Sequence, residues 1–164
     1  MKKFYFLIAI IFSLLSCTSY QPPKSYRYLN QMNVNLSYDE VWNRIIRFFG
    51  ELGIPIKNMD KASGFISTEV FSMSGQIGTF MDCGVPGDKI LAKGIFEDPT
   101  GHFNVVVTRI SENVTNVKIN SFFRTIYAIY ASDGYGGWRK NSETSINCNS
   151  MGVLEEVFLK AISK

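Results

Sequence analysis

The stretch "FNVVVTRISENVTNVKINSFFRTIYAIY", residues 103–130, decides the fold, because two runs of β-branched and aromatic residues flank a short polar turn. Such runs are typical of strands, and the turn at residues 111–113 predicts a long antiparallel hairpin. In the second run, apolar side chains recur at even steps: Val117, Ile119, Phe123 and Tyr127. We therefore expect one dry and one wet face, with both faces apolar beyond Phe122.

A capped helix is predicted upstream, in "NLSYDEVWNRIIRFFGELGIP". Ser37 and Glu40 form a capping box, and Gly53 with Pro55 ends the helix. Apolar side chains recur at three- and four-residue steps: Tyr38, Val41, Trp42, Ile45, Phe49 and Leu52. This is the pattern of an amphipathic helix covering a core, and it indicates that Trp42 is a core residue rather than a ligand-stacking one.

The other elements complete an α+β fold. Residues 54–71 predict a shorter hairpin, residues 77–83 a possible strand, and residues 131–147 an irregular segment. A last helix, capped by Asn149 or Ser150, carries an apolar stripe: Met151, Leu154, Val157, Phe158, Ala161 and Ile162. Residues 31–164 are therefore expected to form a single domain, with two helices packed on one face of an antiparallel sheet in two layers.

The first residues have the pattern of a secretory signal. Lys2 and Lys3 precede an apolar run at residues 4–12, and the segment is too short for the roughly 20 residues of a membrane span. We expect residues 1–16 to be removed. An export signal also implies an oxidising compartment.

The end of this segment resembles the lipobox of bacterial lipoproteins, with Leu14, Ser16 and Cys17 in the matching positions. The resemblance implies that Cys17 becomes the mature N-terminus and carries acyl chains such as palmitate, which anchor stably when two or more are present. Thr18 in place of an aspartate favours the outer membrane, on its periplasmic side. The alternative is an ordinary secretory signal with an incidental cysteine.

Residues 17–30 are predicted to be the lipidated cysteine and a tether, because Pro22 and Pro23 lie among polar residues without periodicity. Fully extended, such a tether reaches about 40 Å. Cys83 and Cys148 are then an even pair, and we predict a disulfide, although two buried free thiols or a metal pair are alternatives. The bridge would contribute about 4 kcal/mol on the chain-entropy view.

The composition and the polar residues do not predict a catalytic site. If Lys2 and Lys3 leave with the signal, the 17 basic residues become 15 against 14 acidic ones, which argues against nucleic-acid binding. His102 lies in a turn-like stretch, where a solvated, inert role is expected. Glu155 and Glu156 point about 100° apart on a helix and are expected on a solvated face. No catalytic residue, metal or cofactor is predicted.

One loop has the residue types that recognise partners. Tyr135, Trp138 and Arg139 lie among glycines in "DGYGGWRK" and are a candidate partner-binding set. The alternative is that these rings pack back on the sheet.

The segment "YDEVWNRIIRFFGELGIPIKNMDKASGFISTE", residues 38–69, resembles the repeated domain of the barrel-assembly lipoprotein C family. The residues in comparable positions are Val41, Trp42, Gly53, Asp60, Gly64 and Thr68. The resemblance implies a helix-grip fold and a non-enzymatic role in the cell envelope. We therefore expect a membrane-anchored, periplasm-facing module that supports an assembly through an envelope protein partner; the alternative is a groove between helix and sheet that binds a small lipid or glycan.

Overall fold

The computed structural model describes residues 20–164, so the predicted signal peptide and Cys17 lie outside the described residues. Two helices are present there, α1 (Tyr38–Glu51) and α2 (Val153–Ser163). The strands are β1 (Gln31–Val34), β2 (Ile56–Asp60), β3 (Phe65–Thr68), β4 (Phe71–Ser72), β5 (Met81–Asp82), β6 (Asp88–Lys89), β7 (Ala92–Ser111), β8 (Val114–Ser132) and β9 (Trp138–Ser150).

The hairpin predicted from residues 103–130 is the centre of the sheet. β7 has 20 residues and β8 has 19, and they pair antiparallel from Ala92 and Ala131 down to a turn between Ser111 and Val114. The main path of the sheet is β2-β3-β7-β8-β9-β5, with β1 beside β8 and with β4 and β6 beside β7. The predicted hairpin and its turn are confirmed.

The predicted fold class is wrong. Strands make up 51% and helices 17% of the described residues, in one nine-stranded antiparallel sheet with two helices rather than a two-layer α+β arrangement with helices packed on the sheet. Two segments that were not predicted as strands extend it, residues 92–102 of β7 and residues 138–147 of β9. We call their end of the sheet the arm: residues 92–98, 125–132 and 138–147. Residues 138–145 are exposed throughout, so both faces of β9 lack a covering layer there.

Side chains of both helices and of the central hairpin share one core. Phe49 of α1 lies against Phe103 of β7 and Phe158 of α2, with ring centroids 6.3 and 5.8 Å apart, and all three rings are fully buried. The predicted dry face of β8 is confirmed, since its four apolar residues are buried. Trp42 is buried and belongs to this core, as predicted.

The predicted N-cap is confirmed for α1 and wrong for α2. Ser37 is the N-cap of α1, and its Oγ accepts a hydrogen bond from the backbone N–H of Glu40 at 3.3 Å. For α2 the prediction was wrong, because Gly152 is the N-cap, with φ of 82°. Ser150 contributes indirectly, since its Oγ accepts from the Gly152 N–H at 3.0 Å. A left-handed residue is needed at this corner, and glycine adopts that conformation without strain.

Several residues of the segment 38–69 have structural roles. The Asp60 carboxylate accepts from the Ala62 N–H at 2.9 Å and so closes the turn between β2 and β3. At Gly64, whose φ is 74°, a Cβ would lie 2.0 Å from the Val107 carbonyl oxygen. Thr68 is buried, and its Oγ1 accepts from the Phe103 N–H at 2.9 Å. These residues therefore fix turns and packing.

Candidate functional site

The segment before β1, for which we predicted a tether, lies against the domain from Tyr20 onward. The Tyr20 hydroxyl donates to the Cys83 carbonyl at 2.9 Å. Gln21 and Val85 form a two-way backbone bridge, with both N–H to oxygen distances at 3.0 Å. At the other end Asn30 donates from its side chain to Asn120 at 3.2 Å. We call residues 20–30 the docked segment.

Asp82 is the central acceptor for this docked segment. Its Oδ2 accepts from the Lys24 N–H and from the Tyr26 hydroxyl, both at 2.9 Å, and its Oδ1 accepts from the Gly84 N–H at 2.7 Å. Burial by itself would raise the pKa of Asp82, but these donors together hold the pKa below its ordinary value. It is therefore the ionised carboxylate of Asp82 that holds the docked segment in place.

The predicted disulfide is confirmed and lies beside this contact. Cys83 follows β5 and Cys148 lies in β9, 65 residues apart in sequence, and their sulfur atoms are bonded. Cys83 is fully buried and Cys148 nearly so. Because the Cys83 carbonyl is also the acceptor for Tyr20, the bridge fixes the surface on which the docked segment lies.

Tyr28, near the end of the docked segment, lies beside a buried carboxyl group. Glu155 is fully buried, which corrects the expectation of a solvated helix face, and its Oε2 accepts from the Ser150 hydroxyl at 2.8 Å. Burial raises the pKa of the Tyr28 hydroxyl, with Ser150 and Glu155 as its neighbours. Glu156, by contrast, is exposed and pairs with Lys160 at 2.6 Å.

The candidate partner-binding residues lie at the end of the arm. Tyr135 is 98% exposed, so its ring does not pack back on the sheet. Trp138 is 41% exposed, with Lys93 over its ring, and Arg139 is exposed. The turn between β6 and β7 lies at the same end of the sheet, since the N–H of Ser132, at the end of β8, donates to the Leu91 carbonyl at 2.9 Å. Ile90 in that turn is 93% exposed.

We call this surface the sheet tip: Ile90, Leu91, Tyr135 and Trp138. Leu91 is itself 70% exposed. The sequence interpretation missed Ile90 and Leu91, although an apolar pair between lysines in "KILAK" is a readable signal. The turn that presents Tyr135 is ordered by Asp133, whose Oδ1 accepts from the Tyr135 N–H at 2.9 Å and from the Gly137 N–H at 2.8 Å.

A charged network lies beneath the sheet tip. Glu97 accepts from the Tyr130 hydroxyl, and the Lys140 ammonium lies 2.7 Å from Glu97 and 3.1 Å from Glu143. Lys140 and Tyr130 hold the pKa of Glu97 below its usual range. Glu97 and Glu143 in turn raise the pKa of Lys140. The network joins all three strands of the arm.

A surface cavity of about 590 Å³ lies along β8, next to the end of β9. His102 and Arg124 line it, and the His102 ring stacks on Phe122 with centroids 4.8 Å apart. His102 thus lies on a strand and not in a turn.

Residues 20–164 contain no group of three or more His, Cys, Asp or Glu side chains placed to hold a metal ion.

Comparison with known proteins assigns no family. No protein-family model matches the chain, and no curated protein matches it either. Neither described helix has the length and hydropathy that crossing a bilayer requires.

Proposed function

We propose that this protein is a lipid-anchored lipoprotein of the bacterial outer membrane, facing the periplasm and acting as a non-enzymatic interaction module of the envelope. The observation that carries the proposal is that two of the three cysteines are joined in a disulfide, which leaves Cys17 as the remaining thiol. The chain has three, and the bridge between Cys83 and Cys148 occupies two. Cys17, the third, ends the apolar run in the lipobox-like sequence, where a thiol is needed for acylation.

The disulfide also supports export. Disulfides persist in oxidising compartments and are rare in the cytosol. A buried bridge that closes 65 residues and supports the docked segment is a structural one, in keeping with a secretory signal at residues 1–16. The resemblance of residues 38–69 to envelope lipoproteins points in the same direction.

The docked segment brings the anchor close to the domain. Cys17 is three residues before Tyr20, so extended chain spans at most about 10 Å between them. Tyr20 itself is held at the Cys83 carbonyl. A domain anchored through Cys17 would therefore lie next to the membrane instead of about 40 Å away, a distance that needs an extended tether.

The observations do not favour the alternative of a ligand groove between helix and sheet. Phe49 and Phe103, which face each other across α1 and β7, are both fully buried and stacked. The 590 Å³ cavity is lined by residues of β7, β8, β9 and the docked segment instead.

A Cys17→Ala variant tests the anchor. We expect wild-type protein in the membrane fraction with an acylated N-terminal cysteine by mass spectrometry, and Cys17→Ala either soluble or retained as uncleaved precursor. The matched control is the Cys83→Ala/Cys148→Ala double variant, which keeps Cys17 and should stay acylated. An unmodified mature N-terminus in the wild type would refute the proposal.

The interaction role needs a separate test. We expect crosslinking in living cells, followed by capture of the wild-type protein, to recover an envelope protein. The Cys17→Ala variant should recover less of it, since the domain is then no longer held at the membrane. If no envelope protein is recovered with the wild type, the interaction role is contradicted, whereas the proposed lipid anchor is not affected.

A further inference from the structure

We propose that the sheet tip inserts into the lipid bilayer as a second membrane contact, which fixes the orientation of the arm. This deepens the proposed function, because it rests on a lipid anchor at Cys17 and names the membrane as the partner of the candidate binding residues. Ile90, Leu91, Tyr135 and Trp138 would lie at the level of the lipid headgroups and the first acyl carbons.

The exposure and chemistry of the sheet tip support a lipid surface. Ile90 and Leu91 are 93% and 70% exposed, at the end of a hairpin where water would otherwise surround them. Tyr135 and Trp138 are amphipathic rings, the side chains enriched where a membrane meets water. Two aliphatic side chains beside two such rings are the composition of an interfacial insertion and not of a solvated turn.

The place where the described chain begins points to the same end of the sheet. Going toward the N-terminus, the docked segment passes from Asn30, beside Asn120, to Tyr20, beside Phe96 and Tyr127. Along β8 this is a shift toward the tip. The Tyr20 ring centroid lies 6.4 Å from that of Phe96, which is five residues from Leu91, or about 17 Å along β7.

The anchor and the sheet tip can therefore reach one plane. Extended chain carries Cys17 at most about 10 Å from Tyr20. Tyr20 is held at the base of the arm by its hydrogen bond to Cys83. A bilayer that holds the Cys17 acyl chains then lies within reach of the tip. The opposite end of the sheet, at Ile110, is about 50 Å from Phe96 along the strand.

The charges around the tip permit insertion next to headgroups. Lys93 lies over the Trp138 ring, 4.3 Å from its centroid, and Arg139 follows on β9. Asp133 uses its Oδ1 within the turn, and Lys140 is held by Glu97. With Lys89 and Asp88 also nearby, and with Glu143 paired to Lys140, the formal charges around the tip cancel. Apolar insertion, with cations reaching the headgroups, is thus expected to outweigh attraction to anionic lipid.

Tryptophan fluorescence tests the proposal directly, because the chain has two tryptophans, Trp42 in the core and Trp138 at the tip. The full chain, purified from membranes, is reconstituted into vesicles of phosphatidylethanolamine and phosphatidylglycerol that contain phosphatidylcholine brominated on its acyl chains. In a Trp42→Phe variant, we expect bromine to quench Trp138. In a Trp138→Phe variant, the buried Trp42 should not be quenched.

Charge substitution supplies the matched control. Ile90→Asp/Leu91→Asp in the Trp42→Phe background should reduce bromine quenching about tenfold, since each apolar side chain contributes to insertion. Ile110→Asp alters an exposed aliphatic residue at the opposite end of the sheet and should leave quenching unchanged.

The outcomes separate the tip from the anchor. Mass spectrometry of the same sample reports acylation of Cys17, and bromine quenching reports the tip. Acylated protein whose Trp138 remains open to aqueous iodide and unaffected by bromine overturns the tip proposal and leaves the anchor intact. Quenched Trp138 without acylation supports the tip and refutes the anchor. Crosslinking of Tyr135 to a protein in place of lipid also overturns the proposal that the sheet tip inserts into the bilayer.

Discussion

The two ends of the central hairpin have the same strand geometry but different surroundings. Around Phe103 and Ile119 the inward side chains are fully buried beside rings of both helices. In the arm, β9 is exposed at residues 138–145 and the tip residues face solvent. The comparison shows that long strands can carry a stable core at one end and an exposed apolar surface at the other.

Among the residues that the structure describes, the arm has no second layer of secondary structure and is stabilised by ring contacts with the docked segment and by a charged network. On one face Tyr20 lies 5.0 Å from Tyr127, ring centroid to ring centroid, so the docked segment covers rings that would otherwise be exposed. On the other face Glu97, Tyr130 and Lys140 join the three strands. Stability is thus expected to depend strongly on the core end and weakly on the tip, which the following substitutions test in order of effect.

Phe103→Ala should have the largest effect. Phe103 is fully buried and contacts the rings of Phe49, Phe71 and Phe123, so its removal leaves a cavity lined by aromatic carbon. We expect the free energy of unfolding to fall by about 4 kcal/mol in urea titrations. Tyr135→Ala, at the tip, should change it by less than about 0.5 kcal/mol. Equal effects at the two sites would contradict the division between core and arm.

Loss of the disulfide should rank second. In the Cys83→Ala/Cys148→Ala variant, the unfolded chain regains the freedom of a 65-residue loop, and stability should fall by at most about 4 kcal/mol, the chain-entropy value. Urea unfolding with and without reductant measures this. The wild type should become less stable in reductant and the double variant should not change. A reductant effect in the double variant would show that the loss has another cause.

The sequence predicted those parts of the fold that are set by local pattern. The alternation along residues 114–127 and the capping residue Ser37 are local signals, and the disulfide was predicted from an even pair of cysteines in a chain whose first residues have the pattern of a secretory signal. Each depends on few neighbours. For that reason these three predictions are confirmed even though the predicted fold class was wrong.

The arm could not be predicted in the same way. Pro99 reads as a turn signal, yet β7 continues past it through a register shift between Glu97 and Thr100, with Asp98 at φ of 48°. β9 has no apolar alternation, because both of its faces are exposed at residues 138–145. Its strand form comes from pairing with β8, a long-range contact. The sheet tip combines two turns more than 40 residues apart, so only folding places Ile90 and Tyr135 at the same end of the sheet.

Asp82→Asn should loosen the docked segment without unfolding the core. The change removes the charge that accepts from Lys24, Tyr26 and Gly84. We expect faster hydrogen exchange at residues 20–30, and unchanged exchange at the centre of β7 and β8. Asn149, whose side chain donates to the Lys24 carbonyl at 2.9 Å, offers a matched control. Asn149→Ala removes a neutral contact and should have a smaller effect.

The same contact predicts a pH dependence. The pKa of Asp82 is lower in the folded protein than its ordinary value, so its contribution is present above that ordinary value and is lost as the pH falls through the folded pKa. The Lys24 amide resonance should therefore shift in acid in the wild type. In Asp82→Asn that shift should disappear. A shift that persists in the variant would assign the titration to another group.

Glu97→Gln is the smallest of these changes and tests the arm alone. The Glu97 carboxylate contributes most to the raised pKa of Lys140, and Glu143 is the second contributor. Because both groups remain partly open to water, which screens the pair, global stability should hardly change, and the pKa of Lys140, followed by NMR of its Cε, should fall. Glu143→Gln should lower that pKa less, since its oxygen lies 3.1 Å from the ammonium against 2.7 Å for Glu97. If Glu97→Gln destabilised the fold as strongly as Phe103→Ala, the arm would belong to the core, and the two ends of the hairpin would not differ in the way described.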